Sequence, residues 1–590
     1  MHRFSSFNRF KHQFKYFTIR KLHDEAKDMS IPFARAKVGT FFQAPPKLRN
    51  QYTQDVVLRR YLQRIMPPEV LSEIEPDLTR FGNRVTQDIY EFGLDCEKNP
   101  PQLQNFDAWG NRIDKIITTE GWRKLKDISA QEGIVAIAYE KKFSEWIDCI
   151  NSRSYISSRF HPNIKCNHLK RVYDRLVSRD PEKFWTSGQW MTERQGGSDV
   201  ANGTETIAIP QSDSTYKLYG YKWFSSATDS DMAFTLARIP SQNGELIKGS
   251  KGVSMFYVET KNQFDGKMNN IQVMRLKDKL GTRQVPTGEL LLDGSTARLA
   301  SDEGRGIASI TNMLLITRIH NAISSVAAMR RITSMARDYA QSRVAFGKII
   351  GKYPLHVKVL ADMELESRGS TLLVLEAARI LGLDDTKKAN QREQFILRLI
   401  IPICKMFTAK KAMSVISEGL EAFGGQGYME DTGLPRLLRD AQVTPIWEGT
   451  TNIMALDVLR AIIKTNGQVM VAFRDDVLEK LEIGKRNVQL KDAIVRVKRS
   501  LSAIEMFLHE NQDKLEVAAR DFAFSLSEIY IGALLIEHAS WSGAVKEDVI
   551  AAQRWSLMKL SCINDKISFF SNDTVENEND LVMEGYEDLK

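Results

Sequence analysis

Near residue 185 the apolar residues of this chain stop recurring at helical spacing and begin to alternate, and near residue 300 the helical period returns. Before the change, "YTQDVVLRRYLQRIMPPEVLSEIEPDLTRFGNRV" and "WRKLKDISAQEGIVAIAYEKKFSEW" predict helices within residues 50–180. Inside it, "YKLYGYKWFSS", "DMAFTLARI", "GVSMFYVET" and "TGELLLDG" are short runs rich in Val, Ile, Phe, Tyr and Thr, parted by Gly, Asp and Asn, which predict strands and turns. After it, long apolar faces with few prolines run from about 301 to 465, and more helix follows to about 565. The reading is an α+β multidomain chain: a basic leader at 1–48, a helical domain at 49–184, a β domain at 185–300, a second helical domain at 301–465, an additional helical region at 466–565 and an acidic tail at 566–590, expected to be mobile.

At 590 residues, the chain exceeds the size at which single cores stop growing, so several domains are expected. No stretch reaches the roughly 18 apolar residues that span a bilayer; "LRLIIPICKMF" comes nearest. Five scattered cysteines without a CxxC pair argue against a disulfide framework and a zinc site, and fit a reducing compartment. The net charge of +8 is spread among interleaved acids and bases, which reads as solvated surface and only weakly as a nucleic-acid face. "MHRFSSFNRFKHQFKYFTIRKLH" has six Lys and Arg and no acid, the composition of a mitochondrial transit peptide or of a basic tail on a cytoplasmic protein.

Four segments carry chemistry. "WMTERQGGSDV" sets hydroxyls and exposed backbone N–H groups in a glycine loop suited to a flat or anionic ligand. "YKWFSSATDSDMAF" offers aromatic surface at Trp223 and Phe224 with the Ser225 hydroxyl beside it. "SRVAFGK" pairs a phosphate-gripping guanidinium, Arg343, with a stacking ring, Phe346. "EAFGGQGYMEDTGLPRLLRDAQVTPIWEGTTNIM" runs from a double-glycine loop through Arg439 and Asp440 to Glu448. By itself Glu448 reads as an ordinary acid near a helix start, since Thr450 or Thr451 is placed to cap a helix beginning at Asn452.

In order and spacing these segments resemble the acyl-CoA dehydrogenase family over roughly residues 100–465. "MTERQGGSDV", "RLKDKLGTRQ" and "PRLLRDAQVTPIWEGTTNIMALDVLR", with the additional C-terminal helices, resemble its adaptive-response branch, to which some long animal members belong. The resemblance implies the fold of that family, an N-terminal helical domain, a middle β domain and a C-terminal helical bundle, with the extra region appended. It also implies FAD held by Met191, Thr192, Ser198, Trp223, Ser225, Arg343, Phe346, Glu421, Gly425, Thr450 and Asn452, and an acyl-CoA meeting Ser198, Arg318 and Gly449. Arg343 and Phe346 match residues that hold the FAD of a neighbouring subunit, which implies a homotetramer. Glu421 and Asn452 stand where most or many members have Gln, and residues 146–170 do not look like the apolar helix expected to line an acyl channel.

On this reading Glu448 removes the α-proton of a medium- or long-chain fatty acyl-CoA, Arg318 supports its orientation, and the β-hydride passes to flavin N5, giving a trans-2-enoyl-CoA. An electron-transfer flavoprotein is the implied acceptor, within mitochondrial β-oxidation. Two other readings stand beside it: a flavin-containing DNA-binding protein that uses "GKRNVQLKDAIVRVKRS", and an acyl-CoA-sequestering protein with little turnover.

Overall fold

The computed structural model describes residues 44–140, 167–262, 266–560, 563–570 and 572–585. The basic leader up to residue 43 and most of the unusual 146–170 segment lie outside them.

The first layer holds α1 (Val56–Ile65), α2 (Pro68–Arg84), α3 (Asp88–Lys98) and α4 (Glu120–Gln131), and its last described helix is α5 (Asn167–Leu176). Asp55 caps α1 and Thr119 caps α4 through side-chain oxygens, as short polar residues do at helix starts. A hairpin, β1 (Gln102–Phe106) and β2 (Arg112–Ile117), interrupts the helices expected across residues 50–180. Its turn is set locally, because Asp107 accepts from the backbone of Trp109 and Asn111. The hairpin belongs physically to the next layer: Asn105 donates to the Val273 carbonyl at 2.7 Å, and Asp114 accepts from the Val273 N–H at 3.0 Å.

That next layer is a seven-stranded sheet of β3 (Ser187–Trp190), β4 (Ile207–Pro210), β5 (Tyr216–Ser226), β6 (Met232–Arg238), β7 (Val253–Glu259), β8 (Ile271–Leu276) and β9 (Thr287–Leu299), with α6 (Val200–Gly203) between β3 and β4. The path β6, β4, β5, β9, β7 closes on itself, because β7 also pairs with β6. "MAFTLAR" is buried at every position, as expected of a strand covered on both faces. Trp190, Leu218, Phe256, Leu290 and Leu292 fill the interior.

The third layer is built on three long helices, α7 (Gly306–Ser342), α8 (Pro354–Asp385) and α9 (Gln391–Glu421), with the small hairpin β10 (Val344–Ala345) and β11 (Lys348–Ile349) after α7. A reciprocal Asn390 and Glu393 cap starts α9, and Pro354 starts α8. Then come α10 (Leu434–Ala441) and α11 (Thr451–Lys464). The additional region supplies α12 (Gln468–Gly484), α13 (Lys491–Glu510), α14 (Leu515–His538), α15 (Lys546–Met558) and α16 (Asn572–Met583). It is no separate bead: α14 packs on α8, α9 and α11 as well as on α12 and α13, and its apolar residues join the same core as α7. The tail expected to be mobile is helical over Asn572–Met583.

Charges are sealed in the seam where α1, α8, α12 and α14 meet. Tyr61 donates to Glu376, which also faces Arg379 at 3.0 Å and Lys480 at 3.7 Å, while Lys480 and Tyr530 both reach Asp476 at 2.8 Å. Burial alone would raise the Glu376 carboxyl, but Lys480 and Arg379 overrule it and hold the group down at about 2. Beside this network lies His538, buried near Arg64, Arg60 and Arg368 and pushed down to about 3, first by burial and then by those cations.

The basic stretch near residue 490 forms α13, which turns Ala493, Ile494, Val497 and Leu501 inward and leaves Lys491, Arg496 and Arg499 exposed beside the exposed Asp492. Among the described residues Cys96 and Cys404 are free and buried, no helix is long and apolar enough to cross a membrane, and no cluster of His, Cys, Asp and Glu is placed to hold a metal.

Candidate active site

The stretch "IWEGTTN" leaves α10 and enters α11 through a turn whose backbone is left-handed at two successive residues, Glu448 (φ 58°) and Gly449 (φ 102°). A glutamate rarely adopts this conformation, which costs roughly 1–2 kcal/mol for a residue with a Cβ. At φ 102° Gly449 escapes the strain that a residue with a Cβ would bear. Thr450 caps α11 by accepting from the Ile453 N–H, so the helix starts one residue earlier than expected and Glu448 lies outside it. The capping role and the acid therefore belong to different residues.

Side chains from three helices hold this turn. From α7, the Thr317 hydroxyl donates to Glu448 Oε2 at 2.6 Å, and Arg318 Nε donates to the Glu448 carbonyl at 3.3 Å. The far end of the same guanidinium pairs with Asp457 on α11 at 2.9 Å. From α9, Lys405 Nζ donates to the Gly449 carbonyl at 2.5 Å. Glu448 itself is half-buried, while the preceding Ile446 and Trp447 are 55% and 44% exposed, leaving an apolar rim beside the carboxylate.

The β layer reaches this turn through the loop after β8. Asp440, at the end of α10, accepts from the Thr282 N–H at 2.6 Å, and a Cβ on Gly281 would lie 2.3 Å from the Arg439 carbonyl group, so the loop packs backbone to backbone on α10. At the other end of that loop, Lys277 Nζ sits 3.3 Å from the centre of the Trp223 ring. Trp223 in turn donates its N–H to the Thr192 carbonyl at 2.9 Å. Contacts thus run from Thr192 through Trp223 and the loop after β8 to the end of α10, eight residues before Glu448.

The glycine loop at 194–199 is exposed, including Ser198, and is anchored beneath by a sealed ion pair. Glu193, 3% exposed, meets Lys222, 0% exposed, at 2.6 Å, and also accepts from Glu205 N–H, Thr206 N–H and the Thr206 hydroxyl. Burial lowers the Lys222 pKa and Glu193 opposes that shift. Met191 is buried under the loop. Ser225, expected to present its hydroxyl beside the aromatic surface, is wholly buried in β5, and that hydroxyl has no hydrogen-bond partner.

Arg343, Phe346, Glu421 and Gly425 gather elsewhere, at the far end of α7 and α9. Twenty-five residues of helix separate Arg318 from Arg343, about 37 Å at 1.5 Å per residue, so one ligand cannot reach both within a single chain. There, Tyr339, Arg343, Phe423, Gly424 and Gly425 line a cavity of about 540 Å³. Phe346, left-handed at the tip of the β10–β11 hairpin, is 98% exposed, and Tyr353 braces the hairpin by donating to the Ala345 and Phe346 carbonyls. Glu421 is exposed at the end of α9, and Asn452 is exposed with its Oδ1 accepting from Arg520 of α14 at 3.2 Å. Sequence reasoning missed Thr317, Lys405 and Asp457. A lysine within the apolar run "LIIPICKMF" and a threonine beside Arg318 were the available signals.

Residues 43–167 match the family described as "Adaptive response protein AidB N-terminal domain", 188–295 "Acyl-CoA dehydrogenase, middle domain", 304–463 "Acyl-CoA dehydrogenase, C-terminal domain", and 468–583 "Acyl-CoA dehydrogenase 11 C-terminal domain-like". "Acyl-CoA dehydrogenase family member 11" of Caenorhabditis elegans is 43% identical, over 95% of each chain. "Putative acyl-CoA dehydrogenase AidB" of Escherichia coli (strain K12) is 32% identical over 65% of this chain and 73% of its own. The crystal structure of Caenorhabditis elegans ACDH-11 in complex with C11-CoA superposes with a TM-score of 0.88 at 42% identity, covering 93% of this chain and 98% of that one.

Proposed function

This chain belongs to the acyl-CoA dehydrogenase family, a family of FAD-dependent oxidoreductases, and we propose that it dehydrogenates a medium- or long-chain fatty acyl-CoA to the trans-2-enoyl-CoA with Glu448 as the base. One observation carries the proposal: a carboxylate held in a left-handed turn, one oxygen fixed by Thr317, beside an exposed apolar rim. A free carboxylate cannot remove so weakly acidic a proton, so position and surroundings must supply the difference. Thr317 leaves Glu448 Oε1 to receive the α-proton. Ile446, Trp447 and the bound acyl chain exclude water from the place where the proton is taken. The Glu448 N–H donates to the thioester oxygen as negative charge develops there. Arg318, tied to Asp457, steadies the turn from below.

The residues present fit FAD. Gly425 borders a cavity beside Arg343, and Gly196 has no heavy atom within 4 Å of the place a Cβ would take. Thr192, Ser198 and Trp223 would hold it, and Arg343, Phe346 and Gly425 of a second copy would hold its other end. When bound, FAD supplies the acceptor for the β-hydrogen and its electron pair. The distance from Arg318 to Arg343 along α7 supports a second copy at the site, within the homotetramer of this proposal. The same proposal passes the electrons to an electron-transfer flavoprotein in mitochondrial β-oxidation, a placement supported by the composition of residues 1–23. The C11-CoA in the nematode structure supports an acyl chain of medium length.

The test is anaerobic bleaching of the flavin by saturated acyl-CoAs of increasing length. Rapid bleaching over one range of lengths is expected, together with a loss of about 10³–10⁴-fold in Glu448→Gln that leaves the yellow cofactor bound. Wild-type bleaching by that variant would place the base elsewhere.

A further inference from the structure

We propose that Lys405 is a positioning residue for the reaction: its side chain, sealed beneath the Glu448–Gly449 turn, holds the left-handed backbone that aims the Glu448 carboxylate. The inference rests on the reading of Glu448 as the base and adds to it.

The two left-handed residues turn their carbonyls toward the helical core, where an unpaired carbonyl is costly. Both are met by cations: the Glu448 carbonyl by Arg318 from α7 at 3.3 Å, the Gly449 carbonyl by Lys405 from α9 at 2.5 Å. The lysine contact is the shorter, and Lys405 is 0% exposed within the apolar α9. Sealing an ammonium in such surroundings is expensive unless a strong partner faces it, and here the partner is a backbone carbonyl rather than a carboxylate. A neutral donor would satisfy that carbonyl; a charged one grips it more tightly. Burial pushes Lys405 down to about 8, Arg318 adds to that shift and Glu448 opposes it, so the group is charged at neutral pH. The cation therefore attracts the Glu448 carboxylate as well as fixing the carbonyl next to it. Arg318 is braced against Asp457 of α11 and reaches the turn from α7, whereas Lys405 reaches it from α9, so two helices hold the turn.

The experiment compares Lys405→Met, which keeps length and loses the donor, with Lys405→Gln, which keeps a neutral donor. Flavin bleaching by a saturating acyl-CoA is expected to slow about tenfold to a hundredfold in K405M and less in K405Q, while the acyl-CoA dissociation constant stays within about threefold. Amide hydrogen exchange, which needs neither FAD nor substrate, should quicken by about tenfold across residues 446–451 and stay unchanged in α8 and α14. Wild-type rate and exchange in K405M would overturn the proposal, as would a loss spread over all helices that K405Q does not repair. If K405M fails to fold, K405Q decides: a partial loss of rate with exchange raised only at 446–451 supports the role, and wild-type values for both overturn it. Glu448→Gln, measured alongside, separates the two readings. Should it bleach at the wild-type rate, the base has been misassigned, yet the exchange at 446–451 still reports whether Lys405 anchors the turn.

Discussion

The turn at Glu448 and the seam at Glu376 both take carboxylates partly or wholly out of water, and they do it in opposite ways. Glu376 is 4% exposed and surrounded by Lys480, Arg379 and Tyr61, so its charge is answered on every side and the group is held down at about 2. Glu448 is half-buried, one oxygen bonded by an uncharged hydroxyl, while the hydrogen bonds of Arg318 and Lys405 go to carbonyls of the turn. A fully compensated acid fastens helices together and takes up no proton at ordinary pH. An acid whose neighbouring cations grip the backbone beneath it has its turn held in place instead.

Four variants test the difference between the seam and the turn. The largest effect is expected in Lys480→Met, which leaves Glu376 and Asp476 under-compensated within the seam: about 3–5 kcal/mol of stability lost in a denaturant titration, with bleaching per folded molecule unchanged. Bleaching lost ahead of stability would mean that the seam and the turn are one unit.

The seam should also be sensitive to acid. His538 has a folded pKa of about 3 against 6.5 when unfolded, so the unfolded chain binds the extra proton between those values. Stability is full above pH 6.5 and falls as pH drops from there toward 3, by about 1.4 kcal/mol per unit at most. Glu376, lowered from 4.5 to about 2, adds its own loss only as pH falls below about 4.5. Denaturation midpoints at pH 7 and pH 5 should differ in the wild type, and differ less in His538→Gln.

Thr317→Val removes the hydroxyl from Glu448 Oε2, and bleaching should slow about tenfold while the denaturation midpoint moves by less than about 1 kcal/mol. A stability loss larger than the rate loss would make Thr317 a packing residue. The smallest change is expected from Arg520→Ala, which cuts the exposed link between α14 and Asn452: about 0.5 kcal/mol or less by thermal melting.

The change of hydrophobic period near residues 185 and 300 marks real boundaries, because a sheet and a helix bury their apolar residues on different spacings and the chain must obey both. The β1–β2 hairpin escaped that reading because "QLQNF" and "RIDKII" are short, and their docking on Val273 depends on a residue far along the chain. At the site, glycine and acid were legible in "IWEGTT", since a left-handed turn needs the one and the chemistry needs the other. Thr317 lies 131 residues from Glu448 and Lys405 lies 44 residues from Gly449, and only the packing of α7 and α9 brings them there. The wholly buried Ser225 was likewise unreadable, because the irregular pairing between Lys222 and Ser225 offsets the in-and-out alternation of β5.

The left-handed backbone at Glu448 has a consequence for selection. Glycine adopts that conformation without the penalty that glutamate bears, and with the carboxylate gone the Thr317 hydroxyl still has the Leu314 carbonyl at 3.2 Å as its acceptor. Glu448→Gly should therefore raise the melting temperature while abolishing turnover, so that a library sorted for heat resistance alone would enrich the inactive protein. Glutamate survives at this position only where the reaction itself is under selection.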